Sequence, residues 1–448
     1  MISKISEDNQ HKIMQEAIVE FDGMRNVSER DNDIISIWTT PNKLNMWNSA
    51  KKNTLVEALR IAREGKNISC HHSVTSKQFG FSIDEYLMIL KQHDFDLFQS
   101  DEKFCESPLT SSKISVRVQN RLLSTDFLYR MIIALRLKKY FSSEGSRILE
   151  IGGGSGDLAR CIKLINPSVK YRILDLPGTL FLSYIFLRAN FPDATFKLVK
   201  SAEDFISIDE LNEIDFVFIP NTLQKAIPAD WKIDLVVNCN SLGEMPQRSV
   251  LDYMELIQTR LDVDYFYSLN RYFQDNRDID TNLSEIYQAD CSLVLDPYWD
   301  VKEWTYCPDF VKSMRFELDT KTSLEVLMKR RNPSECNLDE LLKQSNMYLQ
   351  EANSIQEIKS YKWHELMWKS ILLNPCLENV QPYYDVLIGS QTRERWHYHN
   401  VLKELGLDIP SLPGRETTVT FKIRLYRILQ KIIHFRKLNL PPHIKYKG

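Results

Sequence analysis

"RILEIGGGSGDLA", Arg147 to Ala159, sets four glycines in the five positions from Gly152 to Gly156, with Glu150 just before them and Asp157 directly after. "RILEI" reads as a buried strand and "GDLARCIKLI" as a helix, so the glycines make a strand-to-helix turn that exposes bare backbone to a ligand. Downstream, "KYRILDLP", "TFKLV", "DFVFIP", "IDLVVNCN" and "DYFYSLN" are further short apolar runs, most of them separated by helical segments. Strands alternating with helices predict an α/β fold, a doubly wound, mostly parallel sheet covered on both faces. "TSLEVLMKRR" reads as a late strand that closes the sheet. Residues 1–120 read as a mainly helical region, with a cap-like Ser82 starting the segment that runs to Phe98. Residues 121–332 read as the α/β domain and residues 333–448 as a helical region with a basic tail.

The turn itself narrows the ligand. Walker A is excluded, because no Gly-Lys-Ser/Thr follows. A serine-hydrolase elbow fails because Asp157 stands where its last glycine belongs. Gly154 to Ala159 does match a dinucleotide pattern, with Asp175 about 20 residues on as a ribose acid. The acids weigh against phosphate, since a carboxylate beside a pyrophosphate repels it. S-adenosylmethionine carries no phosphate but an ammonium and a sulfonium, which acids complement. "EIGGGSG" followed by "LDLP" therefore favours that cofactor over a nucleotide.

Here the chain resembles the class I S-adenosylmethionine-dependent methyltransferases, and more narrowly the bacterial sugar O-methyltransferases found among surface-polysaccharide genes. The resemblance lies in Glu150 to Gly154 with Gly156, in Leu174-Asp175-Leu176-Pro177, in "FIPN" (Phe218 to Asn221), "NCNSLGEM" (Asn238 to Met245) and "YFYSLNR" (Tyr265 to Arg271). It covers about residues 120–330. It implies a Rossmann-like domain, methyl transfer to a hydroxyl, and a sugar or glycan acceptor, nucleotide-linked or lipid-linked. Carried over, Gly152, Gly153, Gly154 and Gly156 line the methionine moiety and Glu150 orients that end. Asp175 holds the ribose, Leu176 packs near the adenine, and Asn221 meets the adenine edge. "TFKLV" and "DFVFIP" both compete to be the strand that precedes that edge. Asn240 joins the cofactor-binding set.

A sugar hydroxyl needs its proton removed. "IDLVVNCNSLGEMP" runs off a strand end and leaves Asn238, Asn240, Ser241 and Glu244 near the reactive side. Glu244 is the candidate base, with helix capping as its other reading. His71-His72 and His397-Tyr398-His399 lack ligand spacing, so no metal site is expected. "DPYWDVKEWTY" and "QPYYDVLIGSQTRERWHYH" mix aromatics with acids and amides, which suits either stacking on sugar rings or internal packing. Two other functions stay open: methylation of a small aromatic or polyketide-type metabolite, and a non-catalytic cofactor-binding scaffold.

The whole chain adds bounds. A net charge of −3 over 448 residues does not suggest a nucleic-acid binder. Eight scattered cysteines without a CxxC read as reduced thiols of a cytoplasmic protein. No secretory signal or spanning segment is expected. Only the tail from Arg415 is strongly basic, an amphipathic helix suited to peripheral contact with the inner face of an anionic membrane, or to docking on its own protein or a second subunit.

Overall fold

A computed structural model of the protein describes residues 6–22, 53–64, 83–109, 115–205, 207–242, 245, 247–271, 295–306, 323–356 and 361–374. Two compact units emerge: Met1–Cys239 with Leu261–Val263, and Asn240–Arg260 with Asp264–Gly448. These limits differ from divisions at residues 120 and 332, and packing gives the reason. In the first unit, α1 (Glu7–Asp22) and α2 (Leu55–Glu64) lie against a helix of the sheet layer instead of forming a body of their own.

Next comes α3 (Ile83–Gln92), which stops well short of Phe98. Asp94 takes a left-handed φ of 55°, and Phe95 N–H donates to the Leu90 carbonyl while Asp94 N–H donates to that of Lys91. That double bond pattern ends a helix by satisfying its last carbonyls. Ser82, expected as its cap, lies outside the described residues. A small hairpin follows, β1 (Val116–Val118) with β2 (Arg121–Leu123).

Helix α4 (Thr125–Leu137) is capped by Ser124, whose oxygen accepts from Phe127 N–H. The alternation then runs β3 (Arg147–Ile151), α5 (Asp157–Ile165), β4 (Lys170–Asp175), α6 (Pro177–Asn190), β5 (Phe196–Leu198), α7 (Ile208–Glu213), β6 (Phe216–Pro220) and β7 (Lys232–Cys239). The five strands are parallel in the order β5-β6-β4-β3-β7. Ile148, Leu149, Ile151, Ile173, Leu174, Val217, Phe218, Val236 and Val237 are essentially unexposed. Burial on both faces explains why these strands read as continuous apolar runs rather than alternating ones. Each such side chain contributes roughly 1.5–3 kcal/mol. Pro177 opens α6 at a position where its missing N–H costs nothing. Helices α1 and α2 pack on α6, and α4 packs on α5. This is the mostly parallel, Rossmann-like α/β sheet with flanking helices that the sequence predicts.

The second unit holds α8 (Gln247–Glu255), which runs into a π-helical turn at Leu256–Arg260, and most of β8 (Asp262–Arg271). With β9 (Trp299–Tyr306) and β10 (Ser323–Arg330) the order is β8-β10-β9, all antiparallel. Helices α9 (Leu338–Ser354) and α10 (Tyr361–Leu373) pair with each other. The π turn presents Gln258 inward, where its Oε1 accepts from Asp296 N–H (2.6 Å) and Trp299 Nε1–H (3.2 Å). Arg330 donates to the Gln258 carbonyl and pairs with Asp296. Trp299 is buried in this network and Trp304 is buried as well, so these two tryptophans of "DPYWDVKEWTY" serve packing rather than an exposed sugar platform. The "QPYYDVLIGSQTRERWHYH" stretch, both histidine groups and the basic tail lie outside the described residues. Among the described residues, no helix is long and apolar enough to cross a membrane.

Candidate cofactor site

Strand β3 is central, with β4 on one side and β7 on the other. The direction of winding reverses between β3 and β7, and ligands of such sheets bind outside the strands' carboxyl ends at that crevice. The glycine turn lies at this end of β3.

Gly152, Gly154 and Gly156 have φ of 72°, 59° and 83°. A side chain in that region is strained, and at Gly156 a Cβ would also press on Leu187 and Ser183 of α6 at 3.1–3.3 Å. Gly153 is constrained differently, since a Cβ there would lie 2.8 Å from Ile173 Cγ2 and 3.1 Å from Glu150 Oε2. The turn's amides are largely spent within the protein. Gly152 N–H donates to the Leu174 carbonyl (2.8 Å), Gly156 N–H to that of Gly153 (3.0 Å), and Gly154 N–H to Asp175 Oδ2 (2.9 Å). A phosphate cradle needs converging free amides. This turn offers carboxylates instead.

Asp175 ends β4 half-buried, its other oxygen accepting from Leu176 N–H at 2.7 Å. Burial pushes its carboxyl up to about 7 although both amides pull the other way. Glu150, only 3% exposed, also rises to about 7. Burial is again the main cause, with Asp175 and Asp157 adding to it, while the Tyr171 hydrogen bond and the Arg130 charge oppose it. A lone carboxyl inside a sheet core carries a large desolvation cost, and such groups mark functional sites. Tyr171 hydroxyl donates to Glu150 Oε2 (2.9 Å), and its own pKa is pushed well above 10 by burial and by that carboxylate.

Register places the adenine-side candidates. Asp175 pairs with Pro220 across β4 and β6, so Asn221 follows directly beside the end of β4. This settles the competition between the two strands: "DFVFIP" adjoins β4, and "TFKLV" pairs outside it. Asn221 Oδ1 is buried and accepts no hydrogen bond. Leu176 stands half-buried between β4 and α6. The first unit thus brings together Glu150, Gly152, Gly153, Gly154, Gly156, Asp175, Leu176 and Asn221. An orphaned buried acceptor, two carboxyls and a glycine-rich turn fit a cationic adenosyl ligand.

Other expected residues fare differently. Asn238 is fully buried and its amide donates to the Ile151 carbonyl (2.8 Å), tying β7 to β3 instead of facing a ligand. Asn240 belongs to the second unit, with a left-handed φ of 61° and its N–H on the Leu269 carbonyl. Glu244 lies outside the described residues. Asp157 is buried at the first position of α5 and accepts from the Ser155 hydroxyl, so it also serves the helix N-terminus. Sequence reasoning missed Tyr171 and Arg130. Strand alternation held a signal for the first, because Tyr171 and Glu150 share one face of paired strands. Among the described residues, no group of three or more His, Cys, Asp or Glu could hold a metal.

No protein-family model matches the chain, and no curated protein matches it in sequence. Solved structures do. The pyocyanin biosynthetic protein PhzM is similar over 44% of this chain and 53% of its own, with 13% identity and a TM-score of 0.28. The mitomycin 7-O-methyltransferase MmcR is similar over 45% of this chain and 56% of its own, with 12% identity and a TM-score of 0.26. TrmK of M. capricolum, in complex with its cofactor product S-adenosylhomocysteine, is similar over 56% of this chain and 97% of its own, with 13% identity and a TM-score of 0.26. The chain spans about half the length of the first two.

Proposed function

We propose that the chain is an S-adenosylmethionine-dependent O-methyltransferase whose acceptor is a sugar hydroxyl in glycan biosynthesis. The observation that supports the cofactor is the juxtaposition of Glu150 and Asp175 with a glycine turn in which the amides of Gly152, Gly154 and Gly156 are already spent. Bound there, the cofactor supplies a methyl group on a sulfonium, open to in-line displacement. Glu150 offers a carboxylate to the cationic amino-acid end, and Asp175 accepts from the ribose hydroxyls. Leu176 covers the adenine, and the Asn221 Oδ1 accepts from its exocyclic amine. Glu244, a few residues beyond the end of β7 in sequence, takes the hydroxyl proton of the acceptor. The sugar acceptor is supported by the "FIPN" and "NSLGEM" resemblance alone.

The test incubates the purified chain with methyl-labelled cofactor and a panel of nucleotide sugars, lipid-linked glycans and phenols. Label on a sugar is expected. Label only on phenols would overturn the acceptor, and cofactor binding without transfer to any of them would overturn the enzyme reading.

A further inference from the structure

Tyr171 of β4 pairs with Ile148 of β3, two residues before Glu150, so the phenol and the carboxylate stand diagonally on one face of the paired strands. Tyr171 is fully buried, as Glu150 nearly is. The Tyr171 hydroxyl donates to Glu150 Oε2 at 2.9 Å, and among the described residues it has no other partner. That same oxygen is the one a Cβ at Gly153 would meet at 3.1 Å, so the phenol holds the carboxylate directly against the glycine turn. Among the described residues, none donates to Oε1.

The fold by itself does not call for this pair. Phenylalanine fills nearly the same space as tyrosine, and an apolar pair of matching shape would leave no polar atom to satisfy in the core. A hydroxyl spent on one oxygen of a buried acid does two things. It fixes the acid's side-chain torsions, and it favours the ionised form against the cost of burial. Both matter for an acid that meets a cation with its second oxygen.

We propose that Tyr171 is a positioning residue of the cofactor site, anchoring Glu150 Oε2 beneath the turn so that Oε1 is presented to the ligand's ammonium. The inference rests on the cofactor reading above. The groups that bear on Glu150 are Tyr171 and Asp175 of β4, Arg130 of α4 and Asp157 of α5, while Cys239 of β7 bears on Tyr171. Burial, with the two aspartates, raises the Glu150 carboxyl to about 7, and the phenol and Arg130 oppose that rise. Loss of the hydroxyl therefore keeps Glu150 protonated to a higher pH.

The test is titration calorimetry of the full chain with S-adenosylhomocysteine from pH 6 to 8.5, for the wild type, Y171F, E150Q and the double variant. A donor lost from a charged acceptor raises the pH midpoint of binding by about one unit or more, and weakens affinity at pH 7 by roughly fivefold or more. The difference should narrow toward pH 8.5, where Glu150 ionises without the phenol. In E150Q, which has no charge to hold, adding Y171F should change affinity little. Weakening by the same factor at every pH, weakening as large in E150Q as in the wild type, or a wild-type profile in Y171F overturns the proposal alone. Should Y171F fail to fold, E150D takes its place, since it keeps the charge but shortens its reach to the phenol; wild-type affinity and midpoint there is the overturning result. Failure of the wild type to bind S-adenosylhomocysteine would overturn the cofactor reading and this proposal together.

Discussion

Asp175→Ala separates the two tasks of one carboxylate. In the protein its oxygens accept from Gly154 N–H (2.9 Å) and Leu176 N–H (2.7 Å), holding the glycine turn against the end of β4. Alanine leaves both amides without that acceptor, at about 1–3 kcal/mol for each that water does not reach. Asp175 is half-buried, which places the stability loss toward the lower end of that range. The second task is ligand binding. Hydrogen bonds to a charged group contribute about 1.5–3 kcal/mol, so losing even one weakens the cofactor by roughly ten- to a hundredfold. Calorimetry with S-adenosylhomocysteine at a temperature where the variant stays folded reads the second effect, and thermal denaturation without ligand reads the first. A stable variant that binds at wild-type affinity would refute the ribose assignment. A variant weakened in stability alone would leave Asp175 as a brace for the turn.

Three further outcomes follow from the same geometry. Glu244→Gln should retain cofactor binding and lose turnover, and full activity would remove it as the base. Glu150 and Asp175 both titrate near 7, and their ionised forms serve the ligand's ammonium and its ribose hydroxyls, so cofactor affinity should rise as the pH increases through 6 to 7.5, with protons released on binding; a flat profile would mean that neither carboxylate ionises to hold the ligand. The folded state also holds protons here that the unfolded chain has lost, so these two groups make stability fall as the pH rises from the ordinary carboxyl range toward 7. Gly156→Ala places a side chain at a φ of 83° against Leu187, and should cost about 1–3 kcal/mol, visible as a lower Tm.

How far the sequence could be read depended on where each signal sat. The glycine turn and "LDLP" were legible because local chemistry dictates them: bare backbone, a proline at a helix start and acids at strand ends. Asn221 needed the pairing of Asp175 with Pro220, which is a tertiary fact. Arg130 was hidden because its helix reads as ordinary core, and Tyr171 shows only through the strand alternation that puts it on the face of Glu150 once β3 and β4 are paired. The β1–β2 hairpin escaped notice because Gln119-Asn120 occupies the turn, with Gln119 at a φ of 52°, where Asn-Gly is the usual sign. The N-terminal helices were visible as helices, while their docking on α6 was not.

The central claim is that acids beside this turn choose a cationic adenosyl ligand over a pyrophosphate. The most direct test titrates the purified full-length chain with S-adenosylhomocysteine and, separately, with NAD. Saturable binding of S-adenosylhomocysteine, abolished or strongly weakened in Asp175→Ala, and no binding of NAD are the expected results. Tight binding of NAD with none of S-adenosylhomocysteine would contradict the account.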